Sequence, residues 1–124
     1  MLDHIIISVS DYQASKAFYE SALAPLEYHL IMEFGEGGGF GVLEKPDFFI
    51  KGGEAVTPVI HVAFTTRDRE TVDAFHAAAL AAGGTDNGAP GLRPDYHPNY
   101  YGAFILDPDG HNIEAVCHRA EESE

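Results

Sequence analysis

Short apolar runs dominate the chain, and two longer stretches between them carry apolar residues at every third or fourth position. The runs Ile5–Val9 and Val59–Thr66 are rich in β-branched residues and predict strands. Behind each stands an aspartate, Asp11 or Asp68, in the place of a helix N-cap. Ala14, Ala17, Phe18 and Ala22 follow the first, and Val72, Phe75 and Ala79 the second, with the spacing of one helix face; Gly83 supplies the second stop. Further strand candidates are Leu26–Phe34, Phe40–Leu43 and Phe48–Ile50 in the first half, and Tyr100–Leu106 and Ile113–His118 in the second. Gly35–Gly39 reads as a hairpin turn, and Asp107-Pro108-Asp109-Gly110 has the residues a type I turn prefers. Gly84–Asn99, punctuated by Asn87, Pro90, Pro94 and Pro98, reads as one long loop, and long loops are usually functional or mobile.

The halves repeat. With a shift of 61 − 4 = 57 and no gap, His4–Ala24 overlays His61–Ala81. His4 meets His61, Asp11 meets Asp68, Ala17 and Phe18 meet Ala74 and Phe75, and Ala22-Leu23-Ala24 meets Ala79-Leu80-Ala81. The expected architecture is α+β: two βαβββ modules in tandem, forming a curved mixed sheet around a cleft within a single domain over 1–124. Module 1 covers about 1–53, module 2 about 58–118, and an acidic tail 119–124.

Alternate residues of a strand share a face. Ile5, Ile7 and Val9, then Val62 and Phe64, then Ile113, Ala115 and Cys117 form the apolar sets, and helices need such surfaces to bury their stripes. By elimination His4, His61 and Glu114 fall on the opposite, concave face. A buried carboxylate is costly unless it is paired or bound to a cation, and two imidazoles with one carboxylate form a facial triad able to hold a divalent ion with open positions.

Composition narrows the classes. The charge is 7 − 20 = −13, a surface that repels phosphate backbones and anionic lipid and so excludes nucleic acid and membranes as partners. One cysteine, Cys117, leaves no internal disulfide and suits a reducing compartment; its place under the helices argues against a nucleophile. Asp3 and His4 ahead of Ile5–Ile7 do not make a signal peptide, and the expected location is the cytoplasm.

The paired modules, the histidine opening each half and the closing "DPDGHNIE" resemble the vicinal oxygen chelate superfamily of glyoxalases, extradiol dioxygenases, fosfomycin-resistance enzymes and bleomycin-resistance proteins. The resemblance implies His4, His61 and Glu114 as ligands of one divalent metal (iron, zinc, nickel or manganese), a small-molecule substrate chelated through neighbouring oxygens, and a homodimer. Two departures bear on the reaction. Where glyoxalase-type members carry a fourth ligand, the shift lands on Lys51, or with a slip on Ile50 or Phe49, none of them a carboxylate. Against the extradiol signature, His97, five residues, Ala103, Phe104, two residues and Asp107-Pro108-Asp109-Gly110 fit, but Phe104 stands in place of its tyrosine.

His97 in "RPDYHPNYY" and Tyr101 are the candidate catalytic groups, with Phe49, Lys51, Arg93, Tyr100 and Phe104 expected around the substrate. His111, just past the turn, is expected at solvent, His118 near a frayed end, and His29 and His76 off the metal face. Glyoxalase- or lyase-like metalloenzyme chemistry is the favoured reading. The alternatives are a metal-free ligand-binding or drug-sequestering protein of the bleomycin-resistance type, for which an acidic chain suits cationic drugs, and an oxygenase lacking the usual tyrosine.

Overall fold

Asp11 and Asp68 begin the two helices. Asp11 accepts the amide of Ala14 at 3.1 Å and opens α1 (Tyr12–Ala22), and Asp68 accepts the amide of Thr71 at 2.7 Å and opens α2 (Arg69–Ala81). Each cap satisfies an amide that the first helical turn leaves without a partner. Phe18, Tyr19 and Ala22 on α1, and Val72, Phe75 and Ala79 on α2, are buried at helical spacing. The structure is a computed structural model that describes residues 1–53 and 58–121; Glu122 and Glu124 of the acidic tail lie outside the described residues.

Strands β1 (Ile5–Ser8), β2 (His29–Phe34), β3 (Gly37–Val42) and β4 (Lys45–Lys51) make one mixed sheet in the order β1-β4-β3-β2. Strands β5 (His61–Thr65), β6 (Thr85–Leu92), β7 (Tyr101–Leu106) and β8 (Asn112–Cys117) make a second in the order β5-β8-β7-β6. In each sheet the first strand pairs parallel with the last and the other pairs are antiparallel, so the tandem βαβββ duplication extends to strand order. Ile7, Val9, Phe64, Ile113, Ala115 and Cys117 lie beneath the helices in one core shared by both modules. The ring of Phe48 meets that of Phe64 at 5.3 Å across the junction. Among the described residues no helix is long and apolar enough to cross a membrane.

The β7–β8 turn fastens the second module to the first. Asp107 Oδ1 accepts the amides of Asp109 and His111, both at 2.9 Å, which folds the turn, while Oδ2 accepts the Tyr19 hydroxyl of α1 at 2.5 Å. Asp109 accepts the Ser10 amide at 3.1 Å. His111 is not at solvent but 1% exposed: its Nδ1 accepts the Ile60 amide at 3.1 Å, so Nε2 carries the proton and donates to the Ser8 carbonyl at 2.8 Å. The turn position suggested exposure, but the end of β1 packs over it from a hundred residues away.

Two segments differ from the sequence expectation. Gly84–Asn99 is not one long loop, because Thr85–Leu92 forms β6. This strand reads as loop because it is made of Thr, Asp, Asn, Gly, Ala and Pro before its final leucine. It is an edge strand with register shifts on both sides of Gly88, and at such an edge the missing amide of Pro90 costs no ladder bond. Likewise Gly37–Gly39 are not turn but the start of β3. A Cβ at Gly37 would lie 2.6 Å from the Phe34 ring, and one at Gly39 2.6 Å from the Phe49 ring, so these glycines are the floor on which two aromatic rings rest.

Candidate functional site

Each sheet has a helix-covered face and an open one, and the expected site residues divide between the two open faces. On the second sheet the ladder sets Glu114 beside Ala63 on one side and Phe104 on the other. His61, at the start of β5, turns its Nε2 to Glu114 Oε1 at 2.7 Å. The Tyr100 hydroxyl donates a short hydrogen bond to Glu114 Oε2. Gly102 makes that reach possible: a Cβ there would sit 3.1 Å from the Tyr100 ring and 3.2 Å from Glu114 Oε2. Glu114 is 1% exposed, so its burial is offset by a partner on each oxygen. Burial, and then the bond to Glu114, push the Tyr100 phenol pKa well above its ordinary value, which keeps it a proton donor at neutral pH.

Over this pair opens a cavity of about 520 Å³ lined by His61, Tyr96, His97, Tyr100, Phe104, Glu114 and His118. Arg93 lies beside it, its guanidinium 5.5 Å over the Phe104 ring and its Nη2 held by the Ala89 carbonyl at 2.6 Å. Its backbone amide also donates to the Tyr100 carbonyl at 2.7 Å, which ties the segment between β6 and β7 back on itself.

The structure brings His61, Glu114, His97, Tyr100, Phe104 and Arg93 together and leaves the other expected residues elsewhere. His4, Phe49 and Lys51 belong to the open face of the first sheet. The His4 ring packs edge-on to Phe49 at 5.4 Å and its Nδ1 bonds Asp3 at 2.7 Å. Lys51 is exposed at the end of β4. Beside them Ile6, Met32 and Phe34 are 57%, 44% and 46% exposed, an uncovered apolar surface. Tyr101 points to the helix side, where its hydroxyl donates to Asp73 of α2 at 2.6 Å and Arg69 covers its ring; Tyr100 is the tyrosine that reaches Glu114.

One lining residue, His118, was not foreseen. His118 carried a signal, for it continues the alternation of Glu114 and Val116 two residues beyond the point where that face was read. Tyr96 lines the cavity beside His97, as the aromatic segment "RPDYHPNYY" suggests.

Among the described residues no three His, Cys, Asp or Glu side chains of one chain converge on a metal position. The His61–Glu114 pair still has the chemistry of two ligands. Donors about 2.1 Å from one ion lie about 3.0 Å apart at a right angle and about 3.4 Å apart at a tetrahedral one, so a separation larger than the observed 2.7 Å by about 0.3–0.7 Å would admit an ion in place of the proton between them. A single chain therefore provides two ligands of a three- or four-ligand set, and the third expected donor, His4, lies on the other open face.

Two such modules, each with a sheet open on one side, define the class: a duplicated-module fold built to hold small molecules. Residues 1–115 match the Glyoxalase/Bleomycin resistance protein/Dioxygenase superfamily, and the chain belongs to that family. A glyoxalase/bleomycin resistance protein from Albidiferax ferrireducens T118 is 29% identical, with 96% of this chain and 99% of that one aligned at a TM-score of 0.80. A glyoxalase/bleomycin resistance protein/dioxygenase family enzyme from Burkholderia phytofirmans PsJN, 21% identical, aligns over 94% and 98% at 0.74. Lactoylglutathione lyase from Agrobacterium tumefaciens, 16% identical, aligns over 94% and 92% at 0.69, a likeness of fold. No curated protein matches the chain.

Proposed function

We propose that this protein is a cytoplasmic, metal-dependent enzyme of glyoxalase- or lyase-like chemistry on a small oxygen-bearing substrate, and that it works as a homodimer. The observation that carries the reading is the approach of His61 Nε2 to the buried Glu114 carboxylate at 2.7 Å, two metal-ligand chemistries side by side at the floor of a cavity. Superfamily members commonly use a divalent metal. In this reading His61 and Glu114 hold it together with His4 of a second copy, docked so that the open face of its first sheet covers the second sheet. The exposed Ile6, Met32 and Phe34, and the unpaired edges of β1 and β5, support such a docking.

The bound ion would supply Lewis-acid polarisation of substrate oxygens. The chain's own residues do the rest. Tyr100, held protonated, donates to Glu114 and orients its carboxylate. Phe104 and Tyr96 give the cavity aromatic walls, and His97 and Arg93 stand beside them.

Metal analysis of protein purified without chelator tests the reading, with methylglyoxal plus glutathione as the first assay substrate. One ion per chain, lost in both His61→Ala and Glu114→Ala, supports it; no metal in the wild type removes it. A metal-free ligand-binding role is the second reading, and one observation favours it. Both Glu114 oxygens are satisfied within the chain, so the carboxylate does not require an ion.

A further inference from the structure

His118 projects into the sheet-2 cavity from the end of β8, and its contact with His97 fixes where its proton sits. The nitrogens His97 Nε2 and His118 Nδ1 are 2.7 Å apart, the ring centroids 5.0 Å apart and the planes only 27° from parallel. Rings facing each other end to end account for all three values, so the contact is an in-line N–H···N hydrogen bond. The Asn99 amide donates to His97 Nδ1 at 3.1 Å, which leaves that nitrogen without a proton. Neutral His97 must then carry its proton on Nε2 and donate it to His118 Nδ1. His118 in turn carries its own proton on Nε2, which has no hydrogen-bond partner among the described residues. Tyr100 holds both rings in place edge-on, 5.5 Å from His97 and 5.3 Å from His118.

From this geometry we propose that His118 is a substrate-binding residue. It presents a pre-set Nε2–H donor at the cavity wall to a neutral carbonyl oxygen on a planar part of the ligand, and His97 is the residue that positions it. This rests on the sheet-2 cavity being the substrate site. His97 has no free nitrogen, because Nδ1 receives the Asn99 amide and Nε2 is committed to His118; it is not a free general base in this arrangement. The ligand class follows from the walls and the charge. Tyr96, Tyr100 and Phe104 offer ring surfaces to a planar group. The Glu114 carboxylate in the same lining disfavours a second anionic oxygen there, so the acceptor that suits His118 is a neutral carbonyl.

The test uses the full chain with ¹⁵N-labelled histidine at about pH 8, where ordinary imidazoles are neutral. Two-bond nitrogen–proton correlation spectra should show both His97 and His118 protonated on Nε2. In His97→Phe the His118 nitrogens should move toward the averaged values of a tautomer mixture, a change that loss of packing alone does not produce. Benzamide, as a neutral planar carbonyl probe, should shift the His118 Nε2–H resonance, whereas toluene should not. His118→Phe should weaken benzamide about threefold to tenfold, the range of one hydrogen bond, and His118→Gln, which keeps an N–H donor, should recover most of it. A proton on His118 Nδ1, no response to benzamide, or equal affinity in His118→Phe each overturns the proposal. These readouts need neither added metal nor turnover, so the metal content and dimer state of the preceding section stand or fall separately.

Discussion

Removing one hydroxyl should measure how firmly the β7–β8 turn locks the modules together. Tyr19 is fully buried, its ring 5.0 Å from both Phe18 and Phe48, and its hydroxyl donates to Asp107, itself only 5% exposed. Tyr19→Phe keeps the ring and its packing and deletes only the donor. Burial, with Asp107 adding to it, raises the Tyr19 pKa far above its ordinary value, so the hydroxyl is a donor throughout the range in which the protein would be studied. A hydrogen bond to a charged group contributes about 1.5–3 kcal/mol, and the variant leaves a buried carboxylate oxygen with no replacement. For 124 residues the unfolding entropy is about 0.26 kcal/mol/K, so the expected fall in Tm is about 6–12 °C.

Urea denaturation read by far-UV circular dichroism should show the same loss at an unchanged slope. Asp107→Asn, combined with Tyr19→Phe in a double-mutant cycle, isolates the pair, and the two changes together should cost at least about 1 kcal/mol less than their sum. A Tyr19→Phe protein within about 0.5 kcal/mol of wild type would show that the bond contributes nothing net and that the junction is held by the core alone.

Gly102→Ala should push the Tyr100 ring off Glu114 and cost about 1–3 kcal/mol of overpacking; calorimetry and the loss of any ligand-induced Tm shift check it. Phe34→Glu, which puts a charge on the exposed apolar face, should leave the protein folded but monomeric in sedimentation, and a persistent dimer would move the interface elsewhere. Tyr101 titrates at about 12, raised first by its bond to Asp73 and then by burial. A raised folded pKa gives a contribution that is complete below the unfolded phenol value of about 10 and fades as pH rises through about 12. The stability advantage of wild type over Tyr101→Phe should therefore vanish across that window, and an advantage independent of pH would contradict the assignment.

Much of this molecule is legible in the chain because duplication repeats the same local physics twice. Asp11 and Asp68 cap helices for the same reason, and the alternation that buried Ile7 and Phe64 also turned His61 and Glu114 to an open face. What escaped was decided at long range. β6 is built from residues that do not favour strands and holds its place by pairing with β7, which no window of sequence reports. His111 is buried because β1 lies across it, and Gly37–Gly39 form strand because they pair with β2 on one side and β4 on the other, where the missing Cβ atoms of Gly37 and Gly39 leave room for two aromatic rings. The three expected metal donors share a strand face in pattern, yet strand periodicity does not say whether two sheets of one chain turn their open sides to each other. His4 therefore sits with Phe49 while His61 sits with Glu114.

That separation makes the shared-site account directly measurable by mixing two defective proteins. His4→Ala and Glu114→Ala homodimers should each lack bound metal. If the site combines His4 of one copy with His61 and Glu114 of the other, dissociating and re-pairing equal amounts would restore about a quarter of the wild-type metal, since a mixed dimer keeps one intact site. Full metal in the His4→Ala protein, or no recovery after mixing when sedimentation shows that mixed dimers have formed, would contradict it.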